Sequence, residues 1–225
     1  MLDFDNMIAK HLEQEPHPKG VGRYYPSEIG GCMRKVYYSY VDPKPVKMDL
    51  TKIFEVGNIL HDFVAEVLRS EKNPEVELLD SELPFKLEMK DFVISGRIDD
   101  LLLVKSSGSE ALVEVKSTAY LKYVKGPQPT HLMQLQLYMH ALGVREGYLL
   151  YIEKATLATK AFHVKYDAEA AMKAIDRFKM LHKFLKAKEL PEAEARASRK
   201  DDIGWMCKGC DWHDECFKAM PKGEK

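Results

Sequence analysis

The sequence predicts an α/β protein with a mixed central sheet flanked by helices, and three observations carry that reading. Segments with apolar residues three and four apart alternate with short apolar runs, in the order helix, strands, helix, strands, helix. Between Gly96 and Thr118, two apolar runs flank a Lys-Ser-Ser-Gly-Ser-Glu break, the pattern of two strands joined by a hairpin. The 225 residues, 45% apolar and 31% charged, suit a single domain over 1–225. No run approaches the ~18 apolar residues of a membrane span.

Taken in order, residues 1–20 carry Pro16 and Pro18 and read as a short helix and a loop. Ser27 is placed to cap a short helix that Gly30 and Gly31 end within a turn. Tyr24, Tyr25, Tyr37 and Tyr38 alternate with Arg23, Arg34 and Lys35, and the set reads either as base-stacking and phosphate contacts or as half-buried packing. Arg34, Tyr24 and Tyr25 are the candidate DNA contacts. Residues 51–70 give an amphipathic helix, with Ile53, Val56, Leu60, Phe63, Val64, Val67 and Leu68 on one stripe and His61 at its edge. Strand material follows over residues 76–95. A helix is predicted over 130–142, set off by Pro127 and Pro129 and stopped by Gly143, with Gln134 and Tyr138 sharing a face. Tyr148–Ile152 and Ala161–Val164 read as paired strands. Asp167 caps a long helix to about Lys188, and residues 191–201 read as a polar linker.

The central hairpin carries the chemistry. Glu114 and Lys116 stand two apart and so share a sheet face, while Val113 and Val115 point the other way, towards a core. Asp99 enters from the first strand with Gly-x-x-Asp spacing, and is preferred to Asp100, which a regular strand turns to the opposite face. Two carboxylates suit a hard divalent cation, which lowers the pKa of a bound water and neutralises charge on a phosphate. A lysine, a compact point charge, can hold that water or a phosphate oxygen. A turn centred on Gly108 sets Leu102 opposite Glu114, leaving Asp99 roughly 10 Å away along the strand. The site therefore requires a bulge, a strong twist or a shifted register near Gly96–Asp100.

Charge is balanced, with 34 basic and 35 acidic residues and a net charge of −1, so nucleic-acid contact must come from a local basic surface. The start, Met-Leu-Asp-Phe-Asp-Asn, has no signal-peptide pattern, and a cytoplasmic setting is expected. Cys207-x2-Cys210-x5-Cys216 is a compact thiolate set that Cys32 would complete, and spacing alone admits zinc or a [4Fe–4S] cluster. Either would staple the two ends of the chain together, with Trp205, Trp212 and Phe217 as shields.

From about residue 22 to 218 these motifs occur in one order: Cys32, Gly57-x3-His61, Gly96-x-x-Asp99, Glu114-x-Lys116, Gln134-x3-Tyr138, then the three cysteines. The ordered combination resembles the RecB-like branch of the PD-(D/E)xK nucleases and, within it, the CRISPR-associated protein four family. The resemblance implies a restriction-endonuclease-like core, with Mg²⁺ or Mn²⁺ held by His61, Asp99, Glu114 and the Val115 carbonyl. It assigns Lys116 to the nucleophilic water, and Gln134 and Tyr138 to the substrate backbone or to steadying the site. It implies a [4Fe–4S] cluster on Cys32, Cys207, Cys210 and Cys216, with binding elements at about 22–40 and 201–220. The implied activity is 5′→3′ exonucleolytic cutting of single-stranded DNA or DNA ends before spacer insertion, with the CRISPR integrase complex as partner. Two other readings stand beside it: a non-catalytic DNA- or integrase-binding iron–sulfur subunit, and a RecB-like nuclease of a mobile element. The chain has no Walker-type motif, and so no ATP-driven motor is expected.

Overall fold

A computed structural model of the protein describes residues 1–13, 19–197 and 204–219. Part of the expected linker (198–201) and of the expected C-terminal cluster element (201–203 and 220) lies outside the described residues. Helix α1 (Phe4–Leu12) is capped by Asp3, whose carboxylate accepts from the Asn6 amide at 3.0 Å. Strand β1 (Arg23–Tyr24) leads through a 3₁₀ turn at Pro26–Glu28 to α2 (Met33–Val41) and α3 (Met48–Arg69). The Pro26–Glu28 turn starts at Tyr25 rather than being capped by Ser27. Strands β2 (Val76–Glu88), β3 (Val93–Val104) and β4 (Ser109–Thr118) precede α4 (Pro129–Leu142), β5 (Glu146–Glu153), β6 (Thr159–Lys165) and α5 (Ala168–Ala187). Short helices α6 (Glu194–Ala197) and α7 (His213–Lys218) close the described chain.

Several ends form where local chemistry places them. Gly143 stops α4 in the left-handed region, and Asp167 caps α5 by accepting from the Glu169 and Ala170 amides. Gly30 is required for a different reason. A Cβ there would lie 2.4 Å from the Cα of Thr130, so only glycine lets the loop before α2 touch the start of α4.

The sheet is mixed, as expected, in the order β1-β3-β4-β5-β6 with β2 on the other edge of β3. Strands β2, β3 and β4 pair antiparallel, α4 crosses over to make β4 and β5 parallel, and β6 returns antiparallel. One face packs Leu112, Leu149, Ile94 and Ile98 against α2, α4 and α5. The other packs Val113, Val115 and Ile152 against Leu60 and Val64 of α3.

α3 forms where the periodicity predicts it, but its stripe is mostly unburied. Leu60 and Val64 reach the core, whereas Ile53, Val56, Phe63 and Val67 are exposed. Only the line through Leu60, Val64 and Leu68 meets the sheet, packing with Val113, Val115 and Ile152.

The feature that makes a site is an unequal sharing of β3. On one edge β2 pairs with it from end to end. On the other, β4 takes residues 100–104 and β1 takes 93–94, so 95–99 have no ladder partner there. The β3–β4 register differs from the symmetric turn expected at Gly108. A four-residue turn at 105–108, closed by the Gly108 amide on the Val104 carbonyl at 2.8 Å, pairs Val104 with Ser109 and Asp100 with Val113. One step beyond, Asp99 comes level with Glu114, and the 10 Å gap disappears.

The expected local distortion is also present. Ile94 and Ile98 pack on one face, Leu101 packs on that same face, and Leu102 packs on the other, so the two-residue alternation breaks between 98 and 101. Opposite Asp99, Glu82 of β2 sits at φ 55, a left-handed position worth about 1–3 kcal/mol of strain.

Candidate active site

Asp99, Glu114 and Lys116 meet at the opening beside β3. Asp99 Oδ2 accepts the Val115 amide at 2.7 Å, a side chain standing in for the missing ladder partner. Its Oδ1 lies 3.5 Å from His61 Nδ1. α3 crosses the end of β4 here: a Cβ on Gly57 would lie 3.6 Å from Ser117 Oγ, and His61 sits one turn further on. Lys116 Nζ is 2.5 Å from Glu114 Oε1, as sharing a sheet face requires. Val113 and Val115 are buried on the opposite face, as the alternation predicts. It is the amide of Val115 that meets Asp99.

Glu82 was not foreseen. His61, Glu82 and Asp99 offer ligand atoms that all lie within 4.8 Å of one another, and among the described residues no other His, Cys, Asp and Glu trio does. The left-handed bend at Glu82 that turns it towards Asp99 leaves no trace in a linear sequence. Glu82 also pairs with Arg97 at 2.9 Å.

Electrostatics favour a cation here. Glu114 is 1% exposed, and its Oε2 has no hydrogen-bond partner. Burial, then the charge of Asp99, pushes its pKa up, with Lys116 opposing. Burial disfavours the Lys116 ammonium, but Glu114 and Asp99 outweigh it and raise its pKa. Burial likewise opposes charge on His61, while Asp99 raises its pKa. Asp100, also 1% exposed with an unpartnered Oδ1, is pushed up to about 6 by burial. The His61, Glu82 and Asp99 donors, with the orphaned Glu114 Oε2 outside that compact trio but close enough to feel the Asp99 charge, fit a hard divalent cation, and the imidazole also admits manganese.

Gln134 and Tyr138 share a face as predicted, and Gln134 Nε2 donates to Tyr138 Oη at 3.0 Å. Burial and the Glu114 charge hold the Tyr138 phenol above its ordinary pKa, which marks their proximity. One turn before Gln134, His131 Nδ1 is 2.9 Å from the Tyr151 hydroxyl, and Tyr151 pairs in register with Lys116. Sequence reasoning passed over His131, although its three-residue spacing from Gln134 puts it on the same helix face.

Burial, then Lys116, lowers the His131 pKa to about 4, below the ordinary 6.5. A depressed folded-state value means stability is fully present above pH 6.5 and is lost as pH falls towards 4. The expected loss has a ceiling of about 3 kcal/mol, reduced by partial exposure. Chemical denaturation from pH 7.5 to 4 should show that slope in the wild type and a shallower one in His131→Gln.

The cysteines are a separate constellation. Cys32, Cys207, Cys210 and Cys216 all line one pocket, and none forms a disulfide. They are not drawn into a compact ligand set: no three of their sulfurs lie within 4.8 Å of one another. A single tetrahedral ion with ~2.3 Å bonds would hold them at about 3.8 Å. The expected joining of chain ends does occur, through ordinary contacts. Lys44 Nζ bonds the Asp211 carbonyl and Glu215, each at 2.7 Å, and Trp212 Nε1 donates to the Asp42 carbonyl at 2.8 Å. Of the three expected shields, Trp212 is buried, while Trp205 and Phe217 are exposed.

Two expected DNA contacts are occupied otherwise. Tyr24 is fully buried in the core, with its hydroxyl 2.7 Å from His182 Nδ1, so it presents no face to a base. Arg34 Nε donates to the Pro191 carbonyl at 2.6 Å, and Nη1 lies 3.7 Å from Cys216 Sγ, so its guanidinium serves the cysteine pocket. Tyr25 is half-buried beneath the Arg23 guanidinium. The expected linker is pinned at Glu194, which binds Arg177 and the Met33 amide.

A mixed sheet opened beside one strand, with carboxylates and a lysine in the opening, defines a phosphodiesterase-type α/β core. The model of the PD-(D/E)XK nuclease superfamily matches residues 58–217, and the chain belongs to that superfamily. No curated protein matches the sequence. The fold is similar to the crystal structure of SSO0001, with 18% identity, coverage of 100% of this chain and 98% of that chain, and a TM-score of 0.62. It is also similar to a phage-related exonuclease from Haemophilus somnus 129PT, with 12% identity, coverage of 74% and 94%, and a TM-score of 0.52. No helix among the described residues is long and apolar enough to cross a membrane.

Proposed function

We propose that this chain is a metal-dependent DNA exonuclease that cuts single-stranded DNA or DNA ends in the 5′→3′ direction. We further propose that it trims ends for CRISPR spacer acquisition with the integrase complex. One observation carries the nuclease reading: Asp99 and Glu114 are brought level beside Lys116 at an opening in the sheet, with a buried carboxylate oxygen left unpartnered. The ordered motifs from Cys32 to Cys216 support the finer statement, while the likeness in fold to an exonuclease supports the nuclease reading alone.

In this reading His61, Asp99 and Glu114, the Val115 carbonyl and, from its position, Glu82 hold Mg²⁺ or Mn²⁺. When bound, the cation neutralises phosphate charge and eases deprotonation of water. The Lys116 ammonium donates to the attacking water and to the phosphoryl oxygens as their charge grows. The Gln134–Tyr138 pair, buried at 6% and 3% exposure, steadies the site beside Glu114 and is not open to the DNA backbone. Water gives up a proton as its oxygen bonds to phosphorus, the bond to the departing sugar oxygen breaks, and that oxygen takes up a proton, so that none is gained or lost overall. The products carry one phosphate and one hydroxyl end. In the same reading the cysteine pocket, lined by four thiols from both ends of the chain, holds a [4Fe–4S] cluster, as the ordered motifs imply.

The test is anaerobic purification followed by incubation of end-labelled single-stranded DNA with Mn²⁺ or with EDTA. EDTA-sensitive release of nucleotides from the 5′ end, by a brown protein absorbing near ~400 nm, is the expected result. Tight DNA binding without cleavage in any divalent metal would replace the enzyme by a binding subunit.

A further inference from the structure

Lys116 stands two residues before Thr118, where β4 ends, and Gln134 lies just over one turn into α4. The segment between them, residues 119–128, is therefore bracketed by site residues at both ends. It carries two large aromatic side chains that the core does not use: Tyr120 is 59% exposed and Tyr123 is 70% exposed. Their rings meet edge to face, with centroids 5.9 Å apart, and Lys122 Nζ lies 5.5 Å and 5.1 Å from the two centroids. Lys125, two residues after Tyr123, is exposed as well.

This is not a slack loop. The Leu121 amide donates to Glu153 Oε1 at 2.9 Å, and the Lys154 amide donates to the Thr118 carbonyl at 2.9 Å. Val124 is buried and its carbonyl accepts Lys160 Nζ at 2.8 Å, and the Gln128 amide donates to the Tyr151 hydroxyl at 3.0 Å. Anchors along its length hold two aromatic rings out in water. Rigid, exposed aromatics beside lysines recognise single-stranded nucleic acid: any base stacks on a ring, and the ammonium groups meet phosphates.

We infer that Tyr120 and Tyr123, with Lys122 and Lys125, form a stacking platform that receives single-stranded DNA next to the cleavage site. The inference rests on the nuclease reading and supplies its substrate path. Four residue steps lead from Lys116 to Tyr120, about 13 Å at full extension. A base stacked there lies within a few nucleotides of the scissile phosphate. Sequence-tolerant binding follows, because every base has a ring face.

The test is fluorescence anisotropy with a labelled oligo(dT) in EDTA, where nothing is cut, alongside cleavage of the same strand in Mn²⁺. Tyr120→Ala/Tyr123→Ala should weaken binding by about tenfold per ring, with an unchanged melting temperature. Tyr120→Phe/Tyr123→Phe should bind like the wild type, because a phenyl ring stacks equally well. A duplex of matching length should bind more weakly than the single strand. The platform is overturned if the double alanine variant binds oligo(dT) like the wild type, or if the phenylalanine variant fails as badly as alanine. An oligo(U) that binds more tightly than oligo(dT) would assign the surface to RNA and overturn the DNA platform. Cleavage by a wild type whose binding ignores both tyrosines sinks the platform alone. A wild type that neither binds nor cuts DNA sinks the nuclease reading with it.

Discussion

Lys116→Ala should slow release of nucleotides from end-labelled single-stranded DNA by on the order of 10³-fold, with little change in DNA affinity. The ammonium is 2.5 Å from Glu114 Oε1, at the end of a strand fixed by its parallel pairing with β5. Its charge is secured against burial by Glu114 and Asp99, so it remains a donor at neutral pH. Lys116→Arg should not restore the rate, because a planar fork does not reproduce a point charge in a half-buried slot. Glu114→Gln should be as inactive for a different reason. It keeps the shape but removes the carboxylate whose Oε2 lacks a partner. Mn²⁺ affinity, read by electron paramagnetic resonance, should fall in Glu114→Gln and hold in Lys116→Ala. Undiminished Mn²⁺-dependent cleavage by a cleanly purified Glu114→Gln protein would sink the proposed mechanism.

The second large effect concerns stability. Arg177 on α5 donates Nε to the Ile29 carbonyl and Nη2 to the Gly31 carbonyl, each at 3.0 Å, and binds both Glu194 oxygens at 2.9 Å. Glu194 in turn accepts the Met33 amide at 2.8 Å, capping α2, whose own N-cap residue, Cys32, has no capping side-chain bond. Arg177→Ala would leave two carbonyls and a half-buried carboxylate unpaired. Complete loss of a buried pair costs about 3–5 kcal/mol, and about 2–3 kcal/mol is expected at this exposure. For a chain of this size that is a fall in Tm of roughly 5–10 °C. Arg177→Lys should recover little, since one ammonium cannot serve four acceptors. The double variant Arg177→Ala/Glu194→Ala should lose less than the single losses combined, because no charge is stranded. With any cluster stripped from both proteins, Cys32, 7% exposed in the native chain, should become open to alkylation in Arg177→Ala and stay protected in the wild type. If Cys32 stays protected and Tm is unchanged, Arg177 does not organise the loop.

Local patterns stated much of this molecule in advance. Residues that act within one turn of helix or one step of strand were legible: Asp167 as a cap, Gly143 as a stop, Gln134 with Tyr138, Glu114 with Lys116. The surface was less so. Tyr24 and Tyr120 are both tyrosines near basic residues, yet one is in the core and the other in water. Tyr24 lies on β1, which docks against the N-terminal end of β3, whereas Tyr120 follows the end of β4, where the sheet has run out. Nothing local to either tyrosine distinguishes them.

The sequence by itself determined the α/β order, the helix ends and the residue types at the site, because these depend on short-range periodicity and hydrogen bonding. Tertiary structure alone decided that Asp99 stands level with Glu114, that Glu82 joins His61, and that Arg34 turns to Cys216. Each of those depends on register or on contact between segments distant in the chain, where a shift of one residue moves a side chain to the opposite face. Such a shift is fixed by packing of the whole sheet, and no neighbouring residue records it.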